Sequence, residues 1–337
     1  MQPVSFEFKG FNRELVEQLA EKISKALEGY EFQSFLVGCT FEDYLSDEGK
    51  EMLKKKFQPI LVKRLEKELG VKADYSDADI EILVNFNQDL VYFIVRSAYI
   101  YGRYKKYVRG LPQTKYYCFK CKGKGCGYCN YKGVLSEESV EELIAKHALP
   151  MFSAKYAKLH GAGREDKDVR MLGPGREFVL EIIEPRRRSV DLKKLEKKIN
   201  KAEKGKIEVI NLQYCEKEKI REIKGKRNDK VYLALIVCGK EVSEEKLKKL
   251  LSEYIIKQRT PQRVLNRRAD IVRKKKAKII EAKKKDSNTI EAKIRAEAGL
   301  YVKEFVSGDD GRTKPSIAEL LGTKCECKEL DVIDIIE

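Results

Sequence analysis

Hydrophobic positions in the first hundred residues recur with two different periods. Two stripes have the spacing of an amphipathic helix. The first consists of Leu15, Leu19, Ile23 and Leu27, and the second of Leu53, Phe57, Ile60, Leu61, Leu65 and Leu69. Residues 32–38 predict a strand that ends in a turn, and residues 79–86 and 90–95 predict a hairpin with its turn at 87–89. This part of the chain therefore predicts one small α/β unit.

The remainder of the chain alternates between strand and helix patterns. Strands are predicted at residues 178–183, 206–213, 231–237, 277–282, 289–296 and 330–336. Helices are predicted at residues 190–202 and 244–255. Ser139 and Glu142 form a capping box for a further helix, which Pro150 ends. Strands that are separated by helices, and later by short links, predict an α+β domain on a mixed or antiparallel sheet.

The charge of the chain is divided unevenly. Of its 337 residues, 42% are hydrophobic and 37% are charged, which is typical of a globular protein with room for two domains. Residues 1–100 carry 13 Lys and Arg against 18 Asp and Glu, whereas residues 101–337 carry 57 against 36. A basic excess that is confined to one part of the chain favours binding to a polyanion over a general role in solubility.

Segments that would direct the chain to a membrane are missing from the sequence. No run of eighteen apolar residues occurs, and the N-terminus lacks the basic-then-apolar pattern of a signal peptide. We therefore expect a cytoplasmic protein that does not bind membranes. Nothing in the sequence indicates an obligate protein partner, so we expect a monomer.

Two regions concentrate the basic residues. Residues 101–130 hold eight Lys and Arg and no acid, and residues 257–285 hold 13 Lys and Arg. The aromatic residues interleaved in the first region are Tyr101, Tyr104, Tyr107, Tyr116, Tyr117 and Phe119. Such rings either stack on nucleic-acid bases while lysines hold phosphates, or pack into the protein interior. The sequence leaves both alternatives open for each ring.

Four of the nine cysteines fall within twelve residues. Cys118, Cys121, Cys126 and Cys129 have the spacing C-x2-C-x4-C-x2-C, in which two tight turns place four thiolates around one tetrahedral site. The pattern predicts a structural Zn²⁺, with a redox dithiol and an iron–sulfur cluster as alternatives. A site closed by four cysteines has no position for water, so this zinc is not expected to be catalytic. The remaining five cysteines are interpreted as ordinary thiols.

The most distinctive stretch, residues 163–176, reads Gly-Arg-Glu-Asp-Lys-Asp-Val-Arg-Met-Leu-Gly-Pro-Gly-Arg. Its glycines do not lie between an apolar strand and a helix, which argues against a dinucleotide or S-adenosylmethionine fold. Further motifs are Gln-Arg-Thr-Pro at 258–261 and Gly-Asp-Asp-Gly-Arg-Thr at 308–313. Together they resemble the archaeal tRNA pseudouridine synthases that act on the adjacent uridines 54 and 55 of the TΨC arm. The resemblance extends from about residue 35 to residue 321.

The resemblance implies a role for several residues of the catalytic centre. In such synthases an aspartate follows a Gly-Arg pair after one residue, which makes Asp166 the nucleophile and Asp168 the rival candidate. Tyr232, in the motif Lys-Val-Tyr at 230–232, would lie under a uracil that is flipped out of the RNA. Lys303, in a Gly-x-Tyr-x-basic-x-apolar motif that begins at residue 299, would pair with the catalytic aspartate.

The resemblance also implies contacts to tRNA, the expected partner. The residues assigned to substrate binding are Arg164, Tyr301, Arg259, Arg263, Arg267 and Arg268. Isomerisation of uridine involves neither a redox change nor a group donor, so no organic cofactor is expected. An ionised carboxylate could attack C1′, attack C6 or remove a sugar proton, and the sequence does not choose among these routes.

The predicted organisation has three parts. Residues 1–110 would form an accessory RNA-binding domain of the THUMP type, residues 111–135 the four-cysteine zinc segment, and residues 136–337 the pseudouridine synthase catalytic domain. Two other classes of function fit part of the sequence. A zinc-containing RNA-binding protein without activity would explain the charge and the cysteines but not the motifs, and an RNA methyltransferase would need a cofactor loop that the sequence lacks.

Overall fold

The computed structural model describes residues 1–40, 47–136, 138–266 and 268–336. Contacts divide the chain into two compact units. The first consists of Met1–Ile100, Ala145–Leu159 and Leu180–Leu195, and the second of Tyr101–Ile144, His160–Val179 and Glu196–Glu337. Each unit is thus assembled from three separate segments, and the predicted domain limits at residues 110 and 136 stay predictions.

The first unit contains a sheet of five short strands. They are β1 (Val4–Ser5), β2 (Ser34–Thr40), β3 (Lys72–Ala73), β4 (Ile80–Asn85) and β5 (Leu90–Val95). Their order in the sheet is β1-β5-β4-β2-β3. β2 runs parallel to β4, and β4 pairs with β5 in antiparallel register. The strand and the hairpin predicted from the sequence are both confirmed.

The helices of the first unit supply the other half of its core. They are α1 (Arg13–Leu27), α2 (Asp47–Met52), a π-helical stretch (Leu53–Phe57) and α3 (Gln58–Leu69). The first predicted stripe is buried, and Asn12 caps α1 by accepting a 2.8 Å hydrogen bond from the backbone N–H of Leu15. In the second stripe Leu61 and Leu65 are buried, Ile60 is 56% exposed, and the side chain of Leu53 lies outside the described residues.

A second, larger sheet has ten strands among the described residues. They are β6 (Ala98–Lys106), β7 (Tyr156–Gly161), β8 (Val169–Ile183), β9 (Ile207–Cys215), β10 (Asp229–Cys238), β11 (Glu253–Arg259), β12 (Val272–Lys284), β13 (Thr289–Ala296), β14 (Thr313–Lys314) and β15 (Cys325–Ile336). Their order is β14-β11-β12-β13-β10-β15-β8-β6-β9, and β7 pairs with β8. β8 is parallel to β15, whereas β10 is antiparallel to both β13 and β15, so the predicted α+β class with a mixed sheet is confirmed.

Six further helices follow in the described part of the chain. They are α4 (Val140–Phe152), α5 (Leu192–Ala202), α6 (Glu218–Gly225), α7 (Glu244–Leu250), α8 (Val302–Ser307) and α9 (Ile317–Leu321). Ser139 Oγ accepts from the backbone N–H of Glu142 at 3.2 Å, which is one of the two hydrogen bonds of the predicted capping box, and it donates to the Glu142 carboxylate at 2.9 Å. None of the helices in the described ranges is both long and apolar enough to span a bilayer.

Several predicted boundaries are wrong. β12 and β15 each begin five residues before the predicted strand, at residues 272 and 325. α4 continues past Pro150 to Phe152, because a proline in the last turn disrupts little of the helix. α7 ends at Leu250, and Tyr254 belongs to β11, where it pairs with Ala277 of β12. Strand pairing outweighs the helical spacing there. β8 begins at residue 169 instead of 178, so the second half of the motif at 163–176 is a strand.

Candidate active site and cysteine cluster

Asp166 lies in the loop between β7 and β8, and two basic side chains reach its carboxylate. Arg263 Nη1 is 3.0 Å from Asp166 Oδ2, and Lys303 Nζ is 3.6 Å from the same oxygen. About a third of the Asp166 side chain is exposed (34%), so the carboxylate stays accessible to a ligand. The structure thus brings Asp166 and Lys303 together. It also places Arg263, which the resemblance assigned to substrate binding, against the same carboxylate.

Lys303 contacts a second carboxylate more closely than it contacts Asp166. Its ammonium group donates to both oxygens of Asp168, at 2.8 and 2.7 Å. Burial alone would raise the pKa of Asp168, but the hydrogen bond and charge of Lys303 outweigh burial and lower that pKa. Lys303 therefore bridges the predicted nucleophile and its rival.

Arg263 is itself fixed from the other side. Its Nε donates to Glu304 Oε1 at 2.6 Å, and the Glu304 side chain is almost fully buried. Arg263 lies on a short 3₁₀ turn, Gln262–Val264, and Glu304 lies on α8 next to Lys303. Because Glu304 holds one edge of the guanidinium, the remaining edge points to Asp166 in a defined orientation.

Tyr232 occupies the middle of the larger sheet. It pairs with Val332 of β15, and Val332 in turn pairs with Met171 near the start of β8. The register places Tyr232 two strands away from β8, whose start follows the Asp166 loop, a separation of roughly 10 Å across the sheet. Burial raises the pKa of Tyr232, and the charges of Glu165 and Asp166 raise it further while Arg176 opposes them. Tyr232 therefore lies within electrostatic reach of Asp166.

Directly before Asp166, Glu165 is buried among charged and polar groups. The nearest is Arg176, whose Nε forms an ion pair with Glu165 Oε2 at 2.7 Å. Tyr104 donates its hydroxyl to the carboxylate at 2.9 Å, and Lys106 Nζ lies 3.8 Å from Oε1. The side chains of Glu165, Arg176 and Lys106 are 2%, 3% and 0% exposed. A buried carboxylate is stable in a protein interior only with partners of this kind.

The same buried lysine holds the backbone of the loop. Lys106 Nζ donates to the carbonyl oxygens of Leu111, Asp166 and Lys167, at 2.7, 3.2 and 3.1 Å. Burial lowers the pKa of Lys106, although the nearby Glu165 counteracts this effect. Gln113 adds a hydrogen bond to the carbonyl oxygen of Gly163 at 3.1 Å. The loop is therefore fixed on both sides of Asp166.

The structure around β6 shows where the first aromatic rings of the basic region lie. Tyr104 and Lys106 have no exposed side-chain surface, and the hydroxyls of Tyr101 and Tyr107 donate to Glu177 and Glu208. Tyr104 therefore packs into the interior of the protein, and the partly exposed Tyr101 and Tyr107 have partners within the chain. Rings that follow residue 116 are exposed, as the cysteine segment shows below.

Ion pairs with Asp270 fix the two ends of the basic loop after β11. Arg259 pairs with Asp270 through Nε and Nη2, at 3.0 and 2.8 Å. Arg312 holds the same aspartate and also donates to the carbonyl oxygen of Thr260. Arg268 is exposed, and Arg267 lies outside the described residues. Of the arginines assigned to tRNA, Arg259 thus has an internal partner, while Arg268 points its charge to solvent.

Two more of the residues assigned to substrate binding lie next to this centre. The guanidinium of Arg164 is 5.5 Å from the ring centroid of Tyr116, and it makes no described contact with Asp166. Tyr301 is fixed through its backbone, since its N–H donates to Gln258 Oε1 at 2.8 Å and Gln258 Nε2 donates to its carbonyl oxygen at 3.0 Å. The ring of Tyr301 lies 5.8 Å from the Arg263 guanidinium.

The four predicted zinc ligands converge on one point. The ligand atoms of Cys118, Cys121, Cys126 and Cys129 all lie within 4.8 Å of one another. Three of the sulfur–sulfur distances are 3.8 Å. A tetrahedral site with Zn–S bonds of about 2.3 Å requires sulfur atoms roughly 3.8 Å apart, so the donor set fits a tetrahedral ion.

Backbone groups favour negative charge on one of these sulfurs, that of Cys129. Burial would raise the pKa of Cys129, but hydrogen bonds from the N–H groups of Cys126 and Gly133 outweigh burial and lower that pKa to about 6. Gly133 has φ of +70°, and a Cβ there would lie 2.3 Å from the carbonyl oxygen of Gly123. Only glycine therefore allows the two turns to close around the site.

Sequence reasoning missed the buried side chains of the centre. Lys106, Glu165 and Glu304 received no role, and Arg176 was quoted only as the end of a motif. The single available signal was the charge of Glu165 beside the candidate nucleophile. Neither hydrophobic period nor motif spacing reveals that a charged side chain is buried, because burial of a charge depends on a partner that is distant in sequence.

Comparisons with known proteins identify the family of the chain. The family described as Pus10, C-terminal, matches residues 99–336 of this chain. The tRNA pseudouridine synthase Pus10 of Methanocaldococcus jannaschii is 42% identical over 335 residues, which cover 96% of this chain and 73% of the relative. The tRNA pseudouridine synthase Pus10 of Archaeoglobus fulgidus is 44% identical over 330 residues, which cover 95% and 92%.

A solved structure gives a weaker match. A chain of the crystal structure of a Cbf5-Nop10-Gar1 complex covers 58% of this chain and 45% of its own length at 17% identity, with a TM-score of 0.35, which is too low to establish a common fold. The sequence matches, in contrast, define the class of the chain, a pseudouridine synthase. Within that class it belongs to the Pus10 family, so the resemblance of its motifs is confirmed.

Proposed function

We propose that this protein converts uridines 54 and 55 of tRNA to pseudouridine, with Asp166 as the essential carboxylate. The observation that carries the proposal is the contact of Asp166 with two cations, Arg263 at 3.0 Å and Lys303 at 3.6 Å, in a loop that leaves the carboxylate accessible. Two adjacent cations hold the carboxylate in a defined orientation, which each of the possible routes requires.

The reaction itself needs only groups that this chain supplies. The bond between C1′ and N1 of the uridine breaks, the uracil turns, and a bond between C1′ and C5 forms. N1 gains a proton and C5 loses one, so the product is an isomer of the substrate. Asp166 attacks C1′, attacks C6 or removes a sugar proton, and Tyr232 supports the extruded uracil by stacking. Extraction costs a few kcal/mol, which contacts to the RNA backbone offset.

Binding of the tRNA is assigned to the exposed basic residues around the site. Arg268 is exposed, Arg267 precedes it in the sequence, and residues 257–285 hold 13 Lys and Arg against Asp270 and Glu281, so their guanidinium forks suit phosphate contacts. Arg164 and Tyr301 lie next to the Asp166 loop and would contact nucleotides close to the target. A monomeric state and a cytoplasmic location stay predictions.

We assign a structural Zn²⁺ to the four cysteines. The fit of the 3.8 Å sulfur spacing to a tetrahedral ion supports this assignment. The ion would be held by Cys118, Cys121, Cys126 and Cys129 and would link the two turns that carry them. It would take no part in the reaction, since sulfur atoms occupy all four coordination positions. No organic cofactor takes part in the proposed reaction.

The proposal is tested with tRNA that carries tritium at C5 of uridine. Formation of pseudouridine releases this tritium to water, and we expect release without any added cofactor. Asp166→Asn removes the charge at nearly constant shape and should abolish release. Transcripts in which cytidine replaces uridine 54 or uridine 55 then show which position reacts. The Asp168→Asn variant is the matched control and should retain measurable release.

The outcome also separates the other classes of function. An RNA-binding protein without activity would bind the transcript but release no tritium. A methyltransferase at C5 would release tritium only when S-adenosylmethionine is added. Full release by the Asp166→Asn variant would rule out Asp166 as the essential carboxylate.

A further inference from the structure

The segment around the four cysteines exposes a group of aromatic rings. The exposed fractions are 81% for Tyr131, 61% for Tyr117, 59% for Phe119 and 54% for Tyr128. We call these four side chains the ring face. Rings of this size usually bury most of their apolar area, and four exposed rings within fifteen residues mark a surface for interaction.

Two of the rings are held in place by the cysteine turns. Phe119 follows Cys118, and Tyr128 precedes Cys129. Their centroids are 5.2 Å apart at an interplanar angle of 65°, and Lys120 Nζ lies 4.3 Å from the centroid of Tyr128. Because the rings are already positioned before a ligand arrives, binding to them costs little conformational entropy.

Tyr131 projects from an unusual turn. Its φ is +59°, and that of Asn130 is +50°, so two consecutive residues with side chains adopt the left-handed conformation. The turn is fixed by a hydrogen bond from the N–H of Tyr131 to the carbonyl oxygen of Cys126 at 2.9 Å. Left-handed backbone is unfavourable for tyrosine, yet its ring is 81% exposed and adds little packing in return. The ring of Tyr131 is therefore free of internal packing and accessible to a ligand.

Charge identifies the kind of partner. Residues 101–136 contain nine Lys and Arg and no Asp or Glu. The exposed cations around the ring face are Lys120, Lys122, Lys124 and Lys132. Flat rings interleaved with cations, without any acid, match an unpaired nucleic-acid strand, whose bases stack on rings while its phosphates contact lysines. An acidic protein would match the charge but would not require exposed rings.

The ring face is connected to the loop that carries Asp166. Tyr116 precedes the ring face, and its ring lies 5.5 Å from the guanidinium of Arg164, two residues before Asp166. The backbone of Tyr116 is fixed to the same segment, since its carbonyl oxygen accepts from the N–H of Leu135 at 2.7 Å. Gln113 reaches the carbonyl oxygen of Gly163 at 3.1 Å. The segment that carries the ring face is therefore joined to the Asp166 loop through Tyr116 and Gln113.

We propose that the ring face stacks unpaired nucleobases of the RNA whose uridine reacts at Asp166, while the lysines around it contact the adjoining phosphates. This proposal rests on the proposed function, since it takes the same RNA as substrate. It gives the cysteine cluster a purpose beyond stability, namely to hold the rings at fixed positions next to the catalytic loop.

The test is binding of an unmodified tRNA transcript at several salt concentrations, followed by fluorescence anisotropy. Phe119→Ala, Tyr128→Ala and Tyr131→Asn remove one ring each, and asparagine tolerates the left-handed conformation at residue 131. Loss of stacking on one base, about 1–3 kcal/mol, raises the Kd roughly fivefold to 150-fold. Lys122→Gln and Lys124→Gln should instead flatten the dependence of Kd on salt.

Controls keep loss of the ring apart from loss of the fold. Tyr128→Phe retains a ring and should keep the wild-type Kd. Tyr214→Ala removes a tyrosine on β9 that is 46% exposed but lies outside the ring face, and it should also leave Kd unchanged. Ring variants that bind RNA like the wild type would overturn the proposal. A wild-type protein that releases no tritium while ring variants lose RNA binding would refute the proposed reaction and leave the ring face supported.

Discussion

The buried ammonium group of Lys106 donates a hydrogen bond to the backbone carbonyl oxygen of Asp166 at 3.2 Å. It also donates to the carbonyl oxygens of Leu111 and Lys167. One side chain thus joins β6, the start of the cysteine segment and the loop of the proposed nucleophile. The position of the Asp166 carboxylate depends on a lysine that has no exposed surface and cannot reach the substrate.

Replacement of Lys106 should lower kcat without a comparable change in the Kd for tRNA. Lys106→Met removes three hydrogen bonds and one cation beside the buried Glu165, and breaking a buried charge pair costs about 3–5 kcal/mol of unfolding free energy. We expect kcat to fall at least tenfold while the Kd for tRNA changes less than threefold. Urea unfolding and single-turnover tritium release measure the two effects. The neighbouring Lys105→Met should cost less than about 1 kcal/mol, because its pair with Glu208 is partly exposed.

Lys303 should matter to the reaction more than Asp168 does. Lys303→Met removes a cation 3.6 Å from Asp166, and we expect tritium release to slow about a hundredfold, a typical loss for an electrostatic group in a catalytic site. Asp168→Asn leaves Lys303 in place and frees it to approach Asp166, so release should slow less than tenfold. Equal losses in both variants would indicate that the bridge as a whole, and not the cation, is required.

Lys230 should make stability depend on pH above neutrality. Burial, assisted by the charge of Arg176, lowers the pKa of Lys230 to about 8 in the folded protein. In the unfolded chain the pKa is about 10.4, so between these values the unfolded chain holds a proton that the folded protein lacks. The contribution of Lys230 to the free energy of unfolding therefore increases from pH 8 toward pH 10. Below pH 8 this contribution is constant.

The comparison of wild type with Lys230→Met isolates this group. Denaturant unfolding at pH 7.5, 8.5 and 9.5 gives the free energy of unfolding of both proteins. We expect the value for the wild type to increase relative to that for the variant as the pH increases. Contributions of other lysines are common to both proteins and cancel in the difference. A difference that is constant over this range would mean that Lys230 has an ordinary pKa.

Removal of zinc should affect RNA binding before it affects the rest of the fold. Small zinc modules gain roughly 10–16 kcal/mol from their metal, so the turns around Cys121 should lose their structure without it. We expect one zinc per chain by elemental analysis, its loss in Cys121→Ser, and a weaker Kd for tRNA in that variant. Cys215→Ser lies outside the cluster and should retain the metal. A brown, iron-containing protein would contradict the zinc assignment.

Periodicity predicted most elements of the fold, but it did not predict which charged side chains point into the interior. Lys105 and Lys106 are adjacent and identical, yet on β6 the alternation of side chains turns Lys106 inward and leaves Lys105 partly exposed. An inward lysine requires a buried carboxylate, and Glu165 is 59 residues away in sequence. The same limitation explains why the sequence left both alternatives open for Tyr104, which the structure shows to be buried.

Motifs selected residues that the structure places in contact, whereas periodicity was less accurate for the limits of the elements. Asp166, Tyr232 and Lys303 were chosen from three separate stretches, and the structure brings the first and third into contact. The helix assigned to residues 244–255 ends early because Tyr254 pairs with β12, a partner that periodicity does not reveal. The 3.4 Å approach of Cys238 and Cys325 likewise follows from the register of β10 and β15 and has no signal in the sequence.

Charge balance is a last consequence of the contacts around Asp166. The anionic groups in this network are Asp166, Asp168, Glu165 and Glu304, and the cationic groups are Lys106, Arg176, Arg263 and Lys303. The network is therefore neutral, and it exerts little attraction on a polyanion at a distance. We therefore expect association with RNA to depend on the outer basic segments and to weaken as salt increases, whereas the rate of the reaction within the bound complex should change little with ionic strength.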